Sequence, residues 1–268
     1  MIDNIGSIKY RSGAKSVDCL DNENCFLLML VFLRRHYTQQ ELARMFSIST
    51  FSVGNIVFSW IHYSFLQWQQ LPLFPDSKTI RFFADIDFKR YFPNTEVLLD
   101  GTEIPIQKPT NNVSQRITFS TYKHTNTVKA LIAATPGGLI SYISEAYGGA
   151  SSDRQLMERS ELVDLVTPNS SIMVDKGFNV EDMLEPKNVS LRIPTFLKDN
   201  KRLNPSEVEN DSKISSKRVH IERHIGQIKT FSILQGPLSH TETIFASQII
   251  FVCSILVNFR SSIMLNEY

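Results

Sequence analysis

Two acids in this 268-residue chain share one local setting, a short apolar run, then Asp, then Gly close by. They are Asp100 in Val97-Leu98-Leu99-Asp100-Gly101 and Asp175 in Ile172-Met173-Val174-Asp175-Lys176-Gly177. The carboxyl end of a buried strand is where α/β folds place chemistry, although Asp there is also a common turn former. A third acid, Glu222, lies in RVHIERHIGQIK, one residue past the first member of an apolar stripe formed by Ile221, Ile225 and Ile228. That spacing is helical, and it puts Arg218, Gly226 and Lys229 on the same side as Glu222. From Lys213 to Lys229 there are five Lys or Arg and two His, and Glu222 is the one acid. An ion pair between Glu222 and Arg218 would account for the acid without any site. A lone carboxylate among cations, beside a core stripe, favours a site instead. Three carboxylates supply hard oxygen ligands for Mg²⁺ or Mn²⁺. Two such ions ~3.5–4 Å apart clamp the attacking and leaving oxygens of a phosphoryl transfer, with no need for His or Cys.

The elements that would hold these acids begin after a polar, flexible stretch, residues 1–18. Residues 22–37 are strongly apolar and end in Arg34, Arg35 and His36, suited to a helix C-terminus. Thr38 and Glu41 form a capping box that opens a second helix. After Ser47-Ile48-Ser49 a third runs from about Thr50 to Gln70. A short second helix and a tight turn predict a helix-turn-helix module over 19–75, with any small three-helix bundle as the alternative. Thr50, Ser52 and Asn55 would face the DNA groove, and Arg34, Arg35 and Arg44 the phosphates. The third helix carries no Lys or Arg at its start, which weakens direct base reading. Pro72 and Pro75 introduce a linker, 76–95.

From Glu96 the pattern turns strand-like: 97–99, 127–135 and 139–147, the last two joined by Pro136-Gly137-Gly138 as a hairpin. A helix capped by Ser152 or Asp153 runs to Val166, a strand covers 171–174 and a small strand 190–196. A long helix follows Pro205, and a final one spans about 242–262. Strands and helices mixed in this order predict an α/β domain over 96–268.

Net charge is +1, but it is uneven: residues 1–90 carry +2, 91–185 carry −5 and 186–268 carry +4. Acids to hold metal flanked by cations to hold phosphate fit a site acting on a polyanion. Cys19, Cys25 and Cys253 are too few for a disulfide framework, and no C-x2-C pair exists for a Cys-rich zinc site. His124, His220 and His224 form no spaced ligand set. No signal peptide is read at the start. The longest uncharged apolar stretch, 243–259, is interrupted by polar residues and short of the ~20 residues of a membrane span.

Four stretches occur in order: VLLDGTEIPIQKP; STYKHTNTVKALIAATPGGLISYISEAYGGASSD; IMVDKGF; and RVHIERHIGQIKTFSIL. Through them the chain resembles the DDE transposases of the PIF/Harbinger-like group over about residues 20–262. The resemblance implies an RNase H-like catalytic domain, a mixed sheet flanked by helices, preceded by the helix-turn-helix module. It makes Asp100, Asp175 and Glu222 the catalytic metal ligands. It implies Mg²⁺- or Mn²⁺-dependent cutting and joining of double-stranded DNA, in the nucleus of a eukaryote or otherwise in the cytoplasm, with a homo-oligomer or an accessory DNA-binding protein as a further partner. Animal relatives often carry a zinc-coordinating DNA-binding domain ahead of this region, and none is read here. A domesticated, inactive DNA- or protein-binding module is therefore the alternative. Lys123 and Lys176 are read with Arg218 and Lys229 as phosphate contacts, against simple solvated charge. Tyr122 and Lys129 are read as surface residues, Asp153 as a helix cap, and Glu103 as facing away from Asp100 by strand alternation.

Overall fold

Three N-terminal helices form where the caps predict them. In this computed structural model the described residues are Ile8, 20–175, 177–193 and 205–260, with side chains from residue 211 onward in the last segment. The expected flexible start, apart from Ile8, lies outside them, as does Lys176. Helix α1 (Asn22–Arg35) is capped by Asp21, which accepts from the Asn24 N–H, and ends at His36 in the left-handed region. The Thr38–Glu41 capping box opens α2 (Gln39–Phe46), and Ser49 caps α3 (Thr50–Trp68). Most of α3 from Val53 to Ile61 is buried.

The expected linker is folded. It holds α4 (Ser77–Phe83), capped by Asp76, and α5 (Ile86–Tyr91). Asp85 and Asp87 of this segment both pair with Lys217, at 3.0 and 2.8 Å. Pro72 and Pro75 mark a break in helix, and Asp76 immediately restarts one.

Strand β1 (Thr95–Pro105) is followed by α6 (Asn112–Thr118), β2 (Phe119–Ser120), β3 (Thr125–Ala134), β4 (Ile140–Ile143) and β5 (Tyr147–Gly148). The expected helix 153–166 is two short ones, α7 (Asp153–Glu158) and α8 (Leu162–Leu165). Then come β6 (Ser171–Val174), α9 (Glu181–Leu184), β7 (Ser190–Arg192), α10 (Pro205–Ile228), α11 (His240–Ile244) and α12 (Ala246–Asn258). The sheet runs β2-β3-β1-β6-β7, with β4 and β5 also on β3. β1 is antiparallel to β3 and parallel to β6, and β6 is parallel to β7. The result is a mixed sheet flanked by helices on both faces.

Alternation along β1 sorts its side chains between two cores. Val97 and Leu99 join a cluster with α7, α8 and β6 residues such as Leu156, Leu162 and Val174. Leu98 and Ile104 point the other way, into a larger cluster with Ile214, Ile221, Ile225 and Ile228 of α10 and with α1, α3 and α12. The rings of Phe65 and Phe251 meet edge-on at 5.1 Å, and Phe58 meets Phe245 at 4.8 Å. The N-terminal helices are thus packed into the same core as the sheet. Among the described residues no helix is long and apolar enough to cross a membrane.

Candidate active site

β1 and β6 run side by side, with Leu99 opposite Val174. The next residue on each is an acid, so Asp100 and Asp175 leave neighbouring strands, ~4.8 Å apart, at one level. Asp175 follows the end of its strand as expected. Asp100 does not end its strand, because Asp100 and Gly101 pair with Ile132 and Leu131 of β3 and β1 continues to Pro105. Gly101 is required by crowding from the opposite face: a Cβ there would lie 2.9 Å from Asp153 Oδ1 and 3.2 Å from Lys129 Cε.

Asp100 shares the face of Leu98, which is covered by α10. The core stripe of α10 (Ile214, Ile221, Ile225 and Ile228, all buried) pins the helix there. Each such side chain contributes about 1.5–3 kcal/mol on burial. Arg218 and Glu222, one turn apart, are held at the edge of that contact. Arg218 Nη1 lies 3.0 Å from Asp175 Oδ1, and Nη2 lies 3.3 Å from Glu222 Oε1. One guanidinium, 13% exposed, therefore joins two carboxylates that are 46% and 54% exposed. The simple ion pair foreseen for Glu222 exists, and it has a third member.

Asp100 is the least exposed acid of the trio. Burial pushes its pKa up to about 6; the Gly101 N–H at 2.7 Å and Arg218 pull it down, and the charges of Asp175 and Glu222 push it up further. Asp100 thus senses both of the other carboxylates. Lys229, at the C-terminal end of α10, is held below the usual lysine range by burial and by Lys123, against the pull of Asp100 and Glu103. Arg218 therefore contacts two of the carboxylates, and Lys229 feels the charge of the third.

The donor set suits a divalent cation: three carboxylates, one of them raised in pKa chiefly by burial, with half-exposed outer members open to a phosphate. As placed, however, among the described residues no three His, Cys, Asp or Glu side chains are grouped tightly enough to hold an ion. The guanidinium stands between two of them.

On the opposite face the charges are satisfied. Thr127 donates to Glu103 at 2.9 Å, and Lys129 pairs with Asp153 at 2.8 Å. Glu103 faces away from Asp100, as alternation required. Asp153 is the first residue of α7; Ser152 is the cap. Lys129 is inside this pair rather than on the open surface. Buried His224 is held down to about 4 by burial and by His220, which keeps it neutral on the core side of α10.

Of the N-terminal residues expected to meet DNA, some are engaged within the fold and some are exposed. Arg34 donates to the Thr230 carbonyl and hydroxyl, both at 2.7 Å, and lies over the Phe231 ring. It ties α1 to the segment after α10. Asn55 is buried, because α3 is enclosed by α1 and α12, and so does not reach a groove. Ser52 shares a hydrogen bond with the capping Ser49. Arg35, Arg44 and Thr50 are exposed. What the sequence reading missed is the contact from Arg218 to Asp175. Its one signal was the arginine a turn before the only acid in a basic stretch.

Residues 99–258, well over half of the chain, match the sequence profile of a family described as DDE superfamily endonuclease. No curated protein was found to match the chain. The matched segment begins one residue before Asp100 and contains Asp175 and Glu222. This chain belongs to the DDE superfamily endonuclease family.

Proposed function

We propose that this protein is a transposase-like nuclease of the PIF/Harbinger-like group that cuts and joins double-stranded DNA, with Asp100, Asp175 and Glu222 as ligands for Mg²⁺ or Mn²⁺. The observation that carries the reading is the convergence of these acids, from two adjacent strands and one helix, around a single guanidinium. The order β3-β1-β6-β7, antiparallel and then parallel, supports an RNase H-like reading of the sheet. Two bound ions would supply the Lewis acidity and the activated water or hydroxyl of in-line phosphoryl transfer.

The residues have separable roles. Asp100, the least exposed acid, fixes the floor of the site. Asp175 and Glu222, half in solvent, form its open rim. Lys229, which feels the charges of Asp100 and Lys123, would offset the negative charge of an approaching phosphate. The α1–α3 unit is the helix-turn-helix candidate, with Arg35, Arg44 and Thr50 available on its surface, and a second copy or an accessory DNA-binding protein would supply further DNA contacts.

The test is nicking of supercoiled plasmid in Mg²⁺ or Mn²⁺ by the wild type and by Asp175→Asn. Nicking by the wild type alone is expected. Equal nicking by both would defeat the assignment. The pair Arg218–Asp175 and Arg218–Glu222 also favours a second reading, in which the copy has settled into a catalytically silent nuclear DNA- or protein-binding module. DNA binding with no metal-dependent nicking would support it.

A further inference from the structure

Arg218 holds a place in the carboxylate cluster that neither the fold nor the ion-pair count explains. Its guanidinium contacts Asp175 and Glu222 together, at 3.0 and 3.3 Å, and its side chain is only 13% exposed. Yet its Nε is buried with no hydrogen-bond partner. A fixed structural arginine normally uses its planar fork of five donors fully. This one is satisfied at its tip and orphaned at its base.

We propose that Arg218 is an internal counter-ion that occupies the cation position between Asp175 and Glu222 when no divalent ion is bound, and that it is displaced when the ion enters. The inference rests on the reading of those two acids as metal ligands. A positive charge already between them accounts for both facts of the site: the acids converge, and no three of them close on an ion position. It also answers the electrostatic problem of a metal-free cluster, since three mutually repelling carboxylates cost stability unless something neutralises them. Arg218 is one turn from Glu222 on the same rigid helix, so its displacement needs only side-chain rotation and no change in the sheet.

The displaced guanidinium has a second destination. It would stand at the rim of the site, where a phosphate approaches, and guanidinium suits bidentate phosphate binding. Ion entry would then raise the affinity for DNA, and DNA would raise the affinity for the ion by the same factor. Arg218 thereby acts as a positioning residue. It times the opening of the metal position and the formation of one phosphate contact.

The experiment measures Mn²⁺ binding without DNA, by the electron paramagnetic resonance signal of free Mn²⁺, for wild type, Arg218→Met and Arg218→Lys. Removing the competitor should tighten Mn²⁺ binding in Arg218→Met by roughly five- to tenfold, the scale that two partly exposed ion pairs supply. Arg218→Lys, a point charge without the fork, should fall between the two. Equal or weaker Mn²⁺ binding in a folded Arg218→Met protein would overturn the proposal and make Arg218 a strut that organises the ligands. If that variant fails to fold, the same outcomes are read from Arg218→Lys. Absence of Mn²⁺ binding in all three proteins would remove the metal reading itself, and the proposal with it. The release step is read separately from the salt dependence of DNA binding. With Mn²⁺, on a non-cleavable duplex, the log–log slope of the wild type should exceed that of Arg218→Met by about one; without the ion the slopes should coincide. Slopes that differ equally with and without the ion would show that Arg218 meets phosphate without being released.

Discussion

Asp100 and Glu103 stand three residues apart on β1 and face opposite sides of the sheet. Each lies near a second acid and a lysine. On the Glu103 side the count balances locally: Thr127 donates to Glu103, and Lys129 neutralises Asp153. On the Asp100 side Asp175 and Glu222 share one guanidinium, Lys229 feels the charge of Asp100, and Asp100 itself is pushed up to about 6. One strand therefore carries a satisfied polar network and a frustrated one. Satisfied charge is architecture, whereas several acids gathered around one cation mark a place suited to a ligand.

The comparison breaks first in activity. Asp100→Asn, Asp175→Asn and Glu222→Gln should each lower metal-dependent plasmid nicking by about a hundredfold or more. Asp153→Asn should leave most of it. Comparable losses on both faces would erase the distinction.

Stability should move in opposite directions. Asp100 has a folded-state pKa raised from 3.8 to about 6. Its contribution is therefore fully present below pH ~4 and lost as pH rises through about 6, so at pH 7 the ionised acid strains the fold. Asp100→Asn should raise metal-free stability at pH 7 by on the order of 2 kcal/mol, and the gain should vanish near pH 4. Asp153→Asn should lower stability by about 1–2 kcal/mol by stranding a mostly buried Lys129. Urea titrations across pH measure both. His224 behaves in the opposite sense to Asp100. With its folded pKa depressed to about 4, its contribution is present above the unfolded value of 6.5 and lost as pH falls through about 4. His224→Leu should flatten that acid limb.

Ligand effects are smaller. Millimolar Mn²⁺ should raise the melting temperature of the wild type by a few degrees, corresponding to ~1–2 kcal/mol. The increment should shrink in Asp100→Asn and persist in Asp153→Asn. Smallest is the charge effect on DNA. Replacing Arg218 and Lys229 together with Gln should flatten the salt dependence by one to two in log–log slope, read by fluorescence anisotropy, while Glu222→Gln should leave binding unchanged or slightly tighter.

Local signals were legible where one residue and its near neighbours decide the outcome. Thr38 and Glu41 form the capping box they spell. Ile221, Ile225 and Ile228 form the buried stripe their spacing describes. Asp175 follows its strand, whose last pair in the parallel ladder is Val174 with Leu99. Asp100-Gly101 looks the same in sequence, but β3 offers partners through Thr127, so the strand continues. The segment 76–95 reads as a linker from its neighbouring prolines, yet the pairing of Asp85 and Asp87 with Lys217 of α10 holds it in place. Asn55 looks available on a polar turn, yet it is buried in a helix that packs against α1, α2 and, from far along the chain, α12. The three acids were visible as separate motifs. The arginine that joins two of them was not, because i−4 spacing announces Glu222 and is silent about Asp175.

The packing of α12 against α3 has a consequence for synthesis. Trp68 ends α3, and Ala246 begins α12 about 180 residues later. At roughly 5–20 residues per second, α1 and α3 leave the ribosome roughly 10–40 s before the helix that covers them exists. During that interval Phe58 and Phe65 have neither Phe245 nor Phe251 to meet. The nascent chain must hold an uncovered apolar face in solution, so its yield depends on chaperone capacity and growth temperature. Translation stopped short of residue 246 releases an aggregation-prone fragment, even though every residue of the three carboxylates has already been made.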